Sequence, residues 1–126
     1  MIPIYRAKKI DSDEYVIGFY SSAYDIHHYI ITHLGVDTKA NAVYQMSTDI
    51  HKIDPTTLAI HFPDMLDSQG NKIFASLSED GKGGDIMKDD EYYGIAKYKD
   101  SRFVVEYENV EECLYEGNFE VIGIQE

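Results

Sequence analysis

The residues of this chain able to do chemistry are five histidines and a large excess of carboxylates. His27, His28 and His33 lie close in sequence, and imidazoles at short spacing can ligate a metal. On a strand, however, adjacent residues project to opposite faces, and no Cys, Asp or Glu cluster stands at a familiar zinc-site spacing. His51 and His61 are isolated. Solvated or hydrogen-bonded histidines are therefore expected. Asp85 with Asp89, Asp90 and Glu91 offers oxygen ligands, but not at the spacing of a calcium loop. Gly81-Lys82-Gly83-Gly84 superficially resembles a phosphate loop. It lacks the Gly-x-x-x-x-Gly-Lys-Ser/Thr arrangement, and no long helix follows to present its N-terminus. A mobile polar loop is the expectation over Ser78 to Gly84. Cys113 is the single cysteine and cannot form an intrachain disulfide, so it reads as a small core or edge residue. With 23 acidic residues, paired carboxylates arise by chance, and a hydrolytic site needs them to converge in a cleft. No catalytic residue, cofactor or metal ligand is assigned, and a non-enzyme is expected.

Charge narrows the partners. Residues 1–63 hold 5 Lys/Arg against 7 Asp/Glu, a balance of −2, and residues 64–126 hold 6 against 16, a balance of −10, together the −12 of the chain. Such a surface repels phosphate, so direct nucleic-acid binding is not expected, because that binding rests on Lys and Arg releasing counterions. The acidic half remains a solvated face, a face for a basic protein, or a mimic of nucleic-acid charge. The same half carries Tyr92, Tyr93, Tyr98, Tyr107 and Tyr115 of the 11 tyrosines. Tyrosine offers large contact area with a polar tip and is enriched at interfaces, although it also serves small β cores.

These residues must be positioned by short strands. Residues 3–10 and Glu14–Tyr20 read as a hairpin across Asp11-Ser12-Asp13, with Gly18 marking a bulge or a close backbone approach. Ile26, Tyr29, Ile30 and His33 recur at helical spacing, but Tyr29-Ile30-Ile31-Thr32 favours β structure, and a strand is expected over 28–33. A loop is expected from Gly35 to Asn41, then brief strands at Val43–Met46 and Ile50–Ile53 around Ser47-Thr48-Asp49. Asp54-Pro55-Thr56 turns the chain into a half-buried strand over 58–62 that ends at Pro63. Asp67–Asn71 is a tight turn with Gly70 at positive φ, followed by a strand from Ile73 to Leu77. Strands follow from Asp85, over Tyr92–Tyr98 and over Arg102–Glu108. Glu111–Tyr115 is a strand or one helical turn, and Phe119–Ile124 closes the fold. This spacing predicts a mainly β fold, a small barrel or sandwich-like antiparallel sheets with little helix. One domain is expected over 1–126, with 1–63 and 64–126 as sub-lobes.

The order of several fragments resembles the YopX-like family of small bacteriophage and prophage proteins. Tyr5-Arg6-Ala7-Lys8 and Tyr15-Val16-Ile17-Gly18-Phe19-Tyr20 resemble its Phe-Arg-Ala start and its Trp-Val-Tyr-Gly-Tyr strand. Ile53-Asp54-Pro55-Thr56-Thr57-Leu58 resembles the Val-Asp-Pro-Glu-Thr-Val segment. Leu66 to Phe74 resembles a lysine- and glycine-bearing turn, one residue shorter here. Gly84-Asp85-Ile86 and Phe119-Glu120-Val121-Ile122-Gly123 resemble the family's Gly-Asp-Ile and its closing Phe-Glu-Val-Ile-Gly. Ala75–Lys82 departs from the pattern, since the family passes directly into Glu-Gly-Asp-Ile, and Gly83 stands where the acidic residue falls. Ala59-Ile60-His61-Phe62 departs as well. The family has no settled biochemical activity.

The resemblance implies a phage or prophage accessory protein in the cytoplasm of a bacterial host. No apolar run approaches the roughly 18–20 residues that span a bilayer, and the N-terminus carries no apolar signal segment. A host or phage protein is the expected partner, bound through Asp89, Asp90, Glu91, Tyr92 and Tyr93, and exposed strand edges with many tyrosines suit a homo-oligomer. The alternatives are a counter-defence inhibitor that mimics nucleic-acid charge and a small-nucleotide binder or hydrolase.

Overall fold

Runs of β-branched and aromatic residues, cut by Gly, Pro and Asx turns, form 11 strands among the described residues. The computed structural model describes residues 2–23, 27–37, 45–90, 92–108, 110–113 and 118–126, with the backbone alone for residues 23, 33–37, 45–48 and 113. The strands are β1 (Ile4–Lys8), β2 (Tyr15–Ala23), β3 (His27–Asp37), β4 (Gln45–Lys52), β5 (Ala59–His61), β6 (Ala75–Ser76), β7 (Asp85–Lys88), β8 (Tyr93–Lys99), β9 (Arg102–Tyr107), β10 (Val110–Cys113) and β11 (Glu120–Ile124). Helix among the described residues is limited to a 3-10 turn, Pro55–Thr57. The Asp54 carboxylate starts that turn by accepting from Thr56 N at 3.0 Å and Thr56 Oγ1 at 2.7 Å.

The strands join in the order β10-β9-β8-β6-β5-β1-β2-β3-β4, with β7 on β8 and β11 on β7. The fold is thus mainly β, but the ladder ends at β10 and β4 and does not close into a barrel. It is also mixed, because Ser76 of β6 meets Lys97 of β8 in parallel. One edge of β8 serves two partners: its first residues, Tyr93 to Ile95, pair with β7, and Lys97 pairs with β6. At the other end the Lys9–Ile53 bridge brings the chain leaving β4 back against β1, which curls β1 to β4 around an apolar cluster.

That cluster consists of Ala7, Val16, Ile30, Ile53 and Leu58, flanked by Tyr5 and Tyr20. A second cluster, Met65, Ile73, Ala75, Met87, Ala96, Val105 and Phe119, is flanked by Phe62, Tyr98, Phe103, Tyr107 and Val121. Between them lies a buried ion pair. Arg6 Nη2 stands 2.8 Å from Asp85 Oδ1, with side chains 9% and 1% exposed. The same nitrogen donates to Gly83 O, and the guanidinium lies over the Phe74 ring at 4.6 Å. Asp85 Oδ2 accepts from Phe74 N at 2.8 Å. Burial pushes the Asp85 carboxyl above the usual carboxylate range, against the pull of Arg6 and of that N–H.

Several boundaries differ from those expected. Gly35 is paired with Ser47, so β3 runs on to Asp37 where a loop was expected. The same ladder carries Ser47-Thr48-Asp49, so β4 is one strand from Gln45 to Lys52 rather than two brief ones; Val43 and Tyr44 lie outside the described residues. The strand over 58–62 is not half-buried: Ala59, Ile60 and His61 are all buried, because β5 lies mid-sheet between β1 and β6. The strand expected over Ile73–Leu77 shrinks to Ala75–Ser76. Gly18 is a close approach rather than a bulge, since a Cβ there would stand 2.1 Å from Ile31 O.

Candidate functional site

The loop that resembled a phosphate cradle has its donors already in use. Gly81 N donates to Ser78 O, Gly83 N to Gln125 O and Gly84 N to Gly81 O, while Lys82 N donates to Asp80 Oδ1. Ser76 Oγ donates to Lys82 O and Ser78 Oγ to Thr56 O, so residues 78–84 are tied down on both sides rather than free. Gly81, Gly83 and Gly84 are buried. An anion would find no row of unpaired N–H groups here.

Each described histidine side chain that makes a hydrogen bond is engaged separately. The Tyr20 hydroxyl meets His28 Nδ1 at 2.5 Å, and Thr32 Oγ1 meets His51 Nε2 at 3.1 Å. His61 Nδ1 donates to Ile73 O at 2.9 Å, and burial holds its pKa below the usual imidazole value. The His33 side chain lies outside the described residues. Among the described residues no three His, Cys, Asp or Glu side chains converge as a metal site.

Two clefts lie on the C-terminal strands. The first, about 450 Å³, is lined by Leu77, Ser78, Glu79, Lys97, Tyr98, Lys99, Asp100 and Glu106. Its floor is a ladder of alternating charge. Lys97 Nζ pairs with Glu106 Oε1 at 2.8 Å and Lys99 Nζ with Glu106 Oε2 at 3.4 Å; Lys99 also pairs with Glu111, which reaches Arg102 at 3.1 Å. The Lys97 hydrogen bond holds the Glu106 carboxyl below its ordinary value. Glu106 and Glu111 are thus matched by cations, and with Glu79 and Asp100 the cleft lining sets three carboxylates against two lysines, a weak net field with which to draw a charged ligand.

The second cleft, about 440 Å³, is lined by Tyr92, Tyr93, Tyr107, Glu108 and Val110. Its rings are set by local structure. Asp89 Oδ1 accepts from Tyr92 N at 2.7 Å and Asp89 N donates to Tyr92 O, which fixes the turn into β8. Gly94 makes room behind it, for a Cβ there would meet Val105 Cγ1 at 2.5 Å and Tyr107 Cδ1 at 3.2 Å. Tyr107 packs against the second core cluster, and Tyr92 stacks on its outer face at 5.1 Å with planes 8° apart. Tyr107 Oη donates to Glu112 Oε2 at 3.0 Å, and this bond raises the phenol above its ordinary pKa. Glu108 occupies the β9–β10 turn at φ 53, a conformation that favours Gly or Asn. Tyr92, Tyr93 and Val110 are 50%, 62% and 52% exposed, so the walls are apolar and open while the rim is carboxylate. Lys88 Nζ stands 5.7 Å from the Tyr93 centroid, a cation already on one of these rings.

Of the residues expected on a binding face, Tyr92 and Tyr93 line this groove and Asp89 positions Tyr92. Asp90 is exposed in the same turn, and Glu91 lies outside the described residues. Tyr98 instead lines the first cleft and packs against the second core cluster, 4.6 Å from Phe103 and 6.3 Å from Phe62, and Tyr115 is outside the described residues. Sequence reasoning missed Glu108, Val110 and Glu112. The signal for them lies at the end of β9, where the register pairs Tyr107 with Val110.

No protein-family model, no curated protein and no solved structure matches this chain. No helix among the described residues is long and apolar enough to cross a membrane.

Proposed function

We propose that this chain is a non-enzymatic phage or prophage accessory protein, of the YopX-like kind its fragments resemble, acting in the cytoplasm of a bacterial host. It binds a host or phage protein through the tyrosine groove of its acidic half. The observation that carries the reading is the stacked Tyr92–Tyr107 pair with exposed Tyr93 and Val110, rimmed by Glu108 and Glu112. Apolar rings under carboxylates suit a Lys or Arg side chain, whose stem packs on the ring while its charge meets the rim. Catalysis has less support, because the hydroxyl–imidazole contacts among the described residues, Tyr20 with His28 and Thr32 with His51, line neither of the two clefts. Charge mimicry has less support as well, because Glu106 and Glu111 are already matched by Lys97, Lys99 and Arg102.

The test is affinity capture from bacterial host lysate at low and moderate salt, comparing the parent chain with a Tyr92→Ala/Tyr93→Ala variant. A protein retained by the parent, weakened by salt and lost with both rings is expected. Identical captured proteins for parent and variant would remove the groove from the interface. Loss with salt alone, indifferent to the rings, would favour mimicry by charge.

A further inference from the structure

The face of β2, β3 and β4 opposite the first core cluster is apolar as well. Val16 and Ile30 point into the cluster, and the alternation of an antiparallel sheet open to water on one side calls for polar residues between them. Instead Ile17 and Phe19 on β2, Tyr29 and Ile31 on β3, and Ile50 on β4 occupy those positions. The register lines them up: Phe19 faces Ile31, Ile31 faces Ile50, and Tyr29 faces Lys52. Ile17, Phe19 and Ile50 are 47%, 48% and 58% exposed. Cover is present at Arg6, the cross-strand partner of Ile17, which is sealed by Gly83 and Asp85, and it stops there.

Charge indicates what covers the rest. The chain carries −12, so most approaches between two copies are repulsive. This face is the exception. Among its described residues from Ile17 to Lys52, namely Ile17, Phe19, Ser21, His27, Tyr29, Ile31, Ile50 and Lys52, there is no carboxylate; Asp11 lies at its β4 border beside Ile50 and Lys52, and Glu126 and Asp54, acting on Tyr15, lie at its β1 border. We propose that this face is the contact of a two-fold homodimer. An axis along β3 sets Phe19 of one copy against Ile50 of the other and Ile31 against Ile31, the self-complementary arrangement an isologous interface needs. The proposal is independent of the tyrosine groove, which stays free in the dimer to take a different protein.

Sedimentation equilibrium of the full chain, at two salt concentrations, tests it. A dimer is expected whose association tightens with salt, because screening relieves the repulsion between two acidic copies while apolar burial is kept. Ile50→Asp raises the dimer dissociation constant about 30-fold or more, the loss typical of a central contact. Ile50→Thr and Phe19→Ser weaken it less, with unchanged circular dichroism, and Tyr93→Ala leaves it unaltered. A chain that stays monomeric at every concentration overturns the proposal. So does a dimer indifferent to the Ile50 and Phe19 variants, one broken by salt, or one broken by Tyr93→Ala. A monomer that captures a different protein through Ile50 would give the face to that occupant and end the homodimer.

Discussion

Where Arg6 of β1 meets Asp85 of β7, one guanidinium and one carboxylate are sealed from water; along β8, β9 and β10 a ladder of charges runs from the buried Lys97 out to the surface. Arg6 and Asp85 hold each other at 2.8 Å with almost no exposure. Lys97, Lys99, Arg102, Glu106 and Glu111 share their partners in a ladder, with Arg102 60% exposed at its end. In the first region desolvation dominates, so the pair matters chiefly because neither member tolerates being left alone. In the second, Lys97 is itself only 8% exposed, but its partner Glu106 is 28% exposed. Water therefore reaches the carboxylate end of that pair and screens the outer rungs, where the ladder orients side chains more than it stabilises the fold.

Breaking one partner at a time separates the two regimes. Arg6→Met leaves a buried, unpaired carboxylate and is expected to cost about 3–5 kcal/mol in urea unfolding, the largest effect among the charged residues. Arg6→Met with Asp85→Leu recovers much of this; an equal loss in the double variant would mean that the guanidinium acts through Gly83 O and Phe74 rather than through charge. The pH dependence carries a sign. A carboxyl whose folded pKa lies above its unfolded value takes up a proton on folding, so its contribution grows as pH falls and is lost as pH rises through the folded value. In Arg6→Met the charge cost at Asp85 therefore shrinks on acidification, and the deficit against the parent narrows below neutral pH.

Glycines sharpen the contrast next. Gly83 sits at φ 82 with a would-be Cβ 1.9 Å from Thr57 O, whereas Gly70 has φ 83 and open space around it. Gly83→Ala is expected to cost on the order of 3 kcal/mol, combining conformational strain with a backbone clash. Gly70→Ala should cost about 1 kcal/mol, the conformational part alone. Equal losses in thermal or chemical unfolding would mean that the loop yields and that the ion pair beneath it is not tightly packed. The smallest effect belongs to the ladder. Glu106→Gln is expected to lower stability by no more than about 1 kcal/mol at low salt, and by less at high salt. Lys97 depresses the Glu106 pKa, so its contribution is present above the ordinary value of 4.5 and is lost as pH falls through the folded value. A measured loss that persists at low pH would assign the residue a packing role instead.

What the amino-acid order disclosed was local. Pro55 and Asp54 mark their turn, Gly70 takes positive φ after Asp67, and the strand expected over Arg102–Glu108 forms as β9. The strand over Tyr29-Ile30-Ile31 prevailed over a helical spacing because β-branched residues there pair on both sides, with β2 and with β4. What stayed hidden was non-local. Arg6 reads as one more cation until β1 is laid against β5 and its guanidinium meets Asp85. Polar residues 78–84 read as a free loop, since nothing local announces that Gln125 and Thr56 take part in its hydrogen bonds. In the groove, Tyr92 and Tyr93 stood out by composition, but Tyr107 joined them only through the β8–β9 register and the space left by Gly94.

The pairing of β1 with β5 bears on how the chain is made. Ile4, Tyr5 and Arg6 find His61, Ile60 and Ala59 across more than 50 intervening residues, and Arg6 then waits for Gly83, 77 positions away. A ribosome releasing residues one after another must expose nearly half of this chain before its first strand gains that second neighbour. Until then one edge of β1 is open. Topologies built on such distant pairings fold in about milliseconds to seconds rather than microseconds, and the wait leaves an apolar edge exposed to whatever the nascent chain meets first.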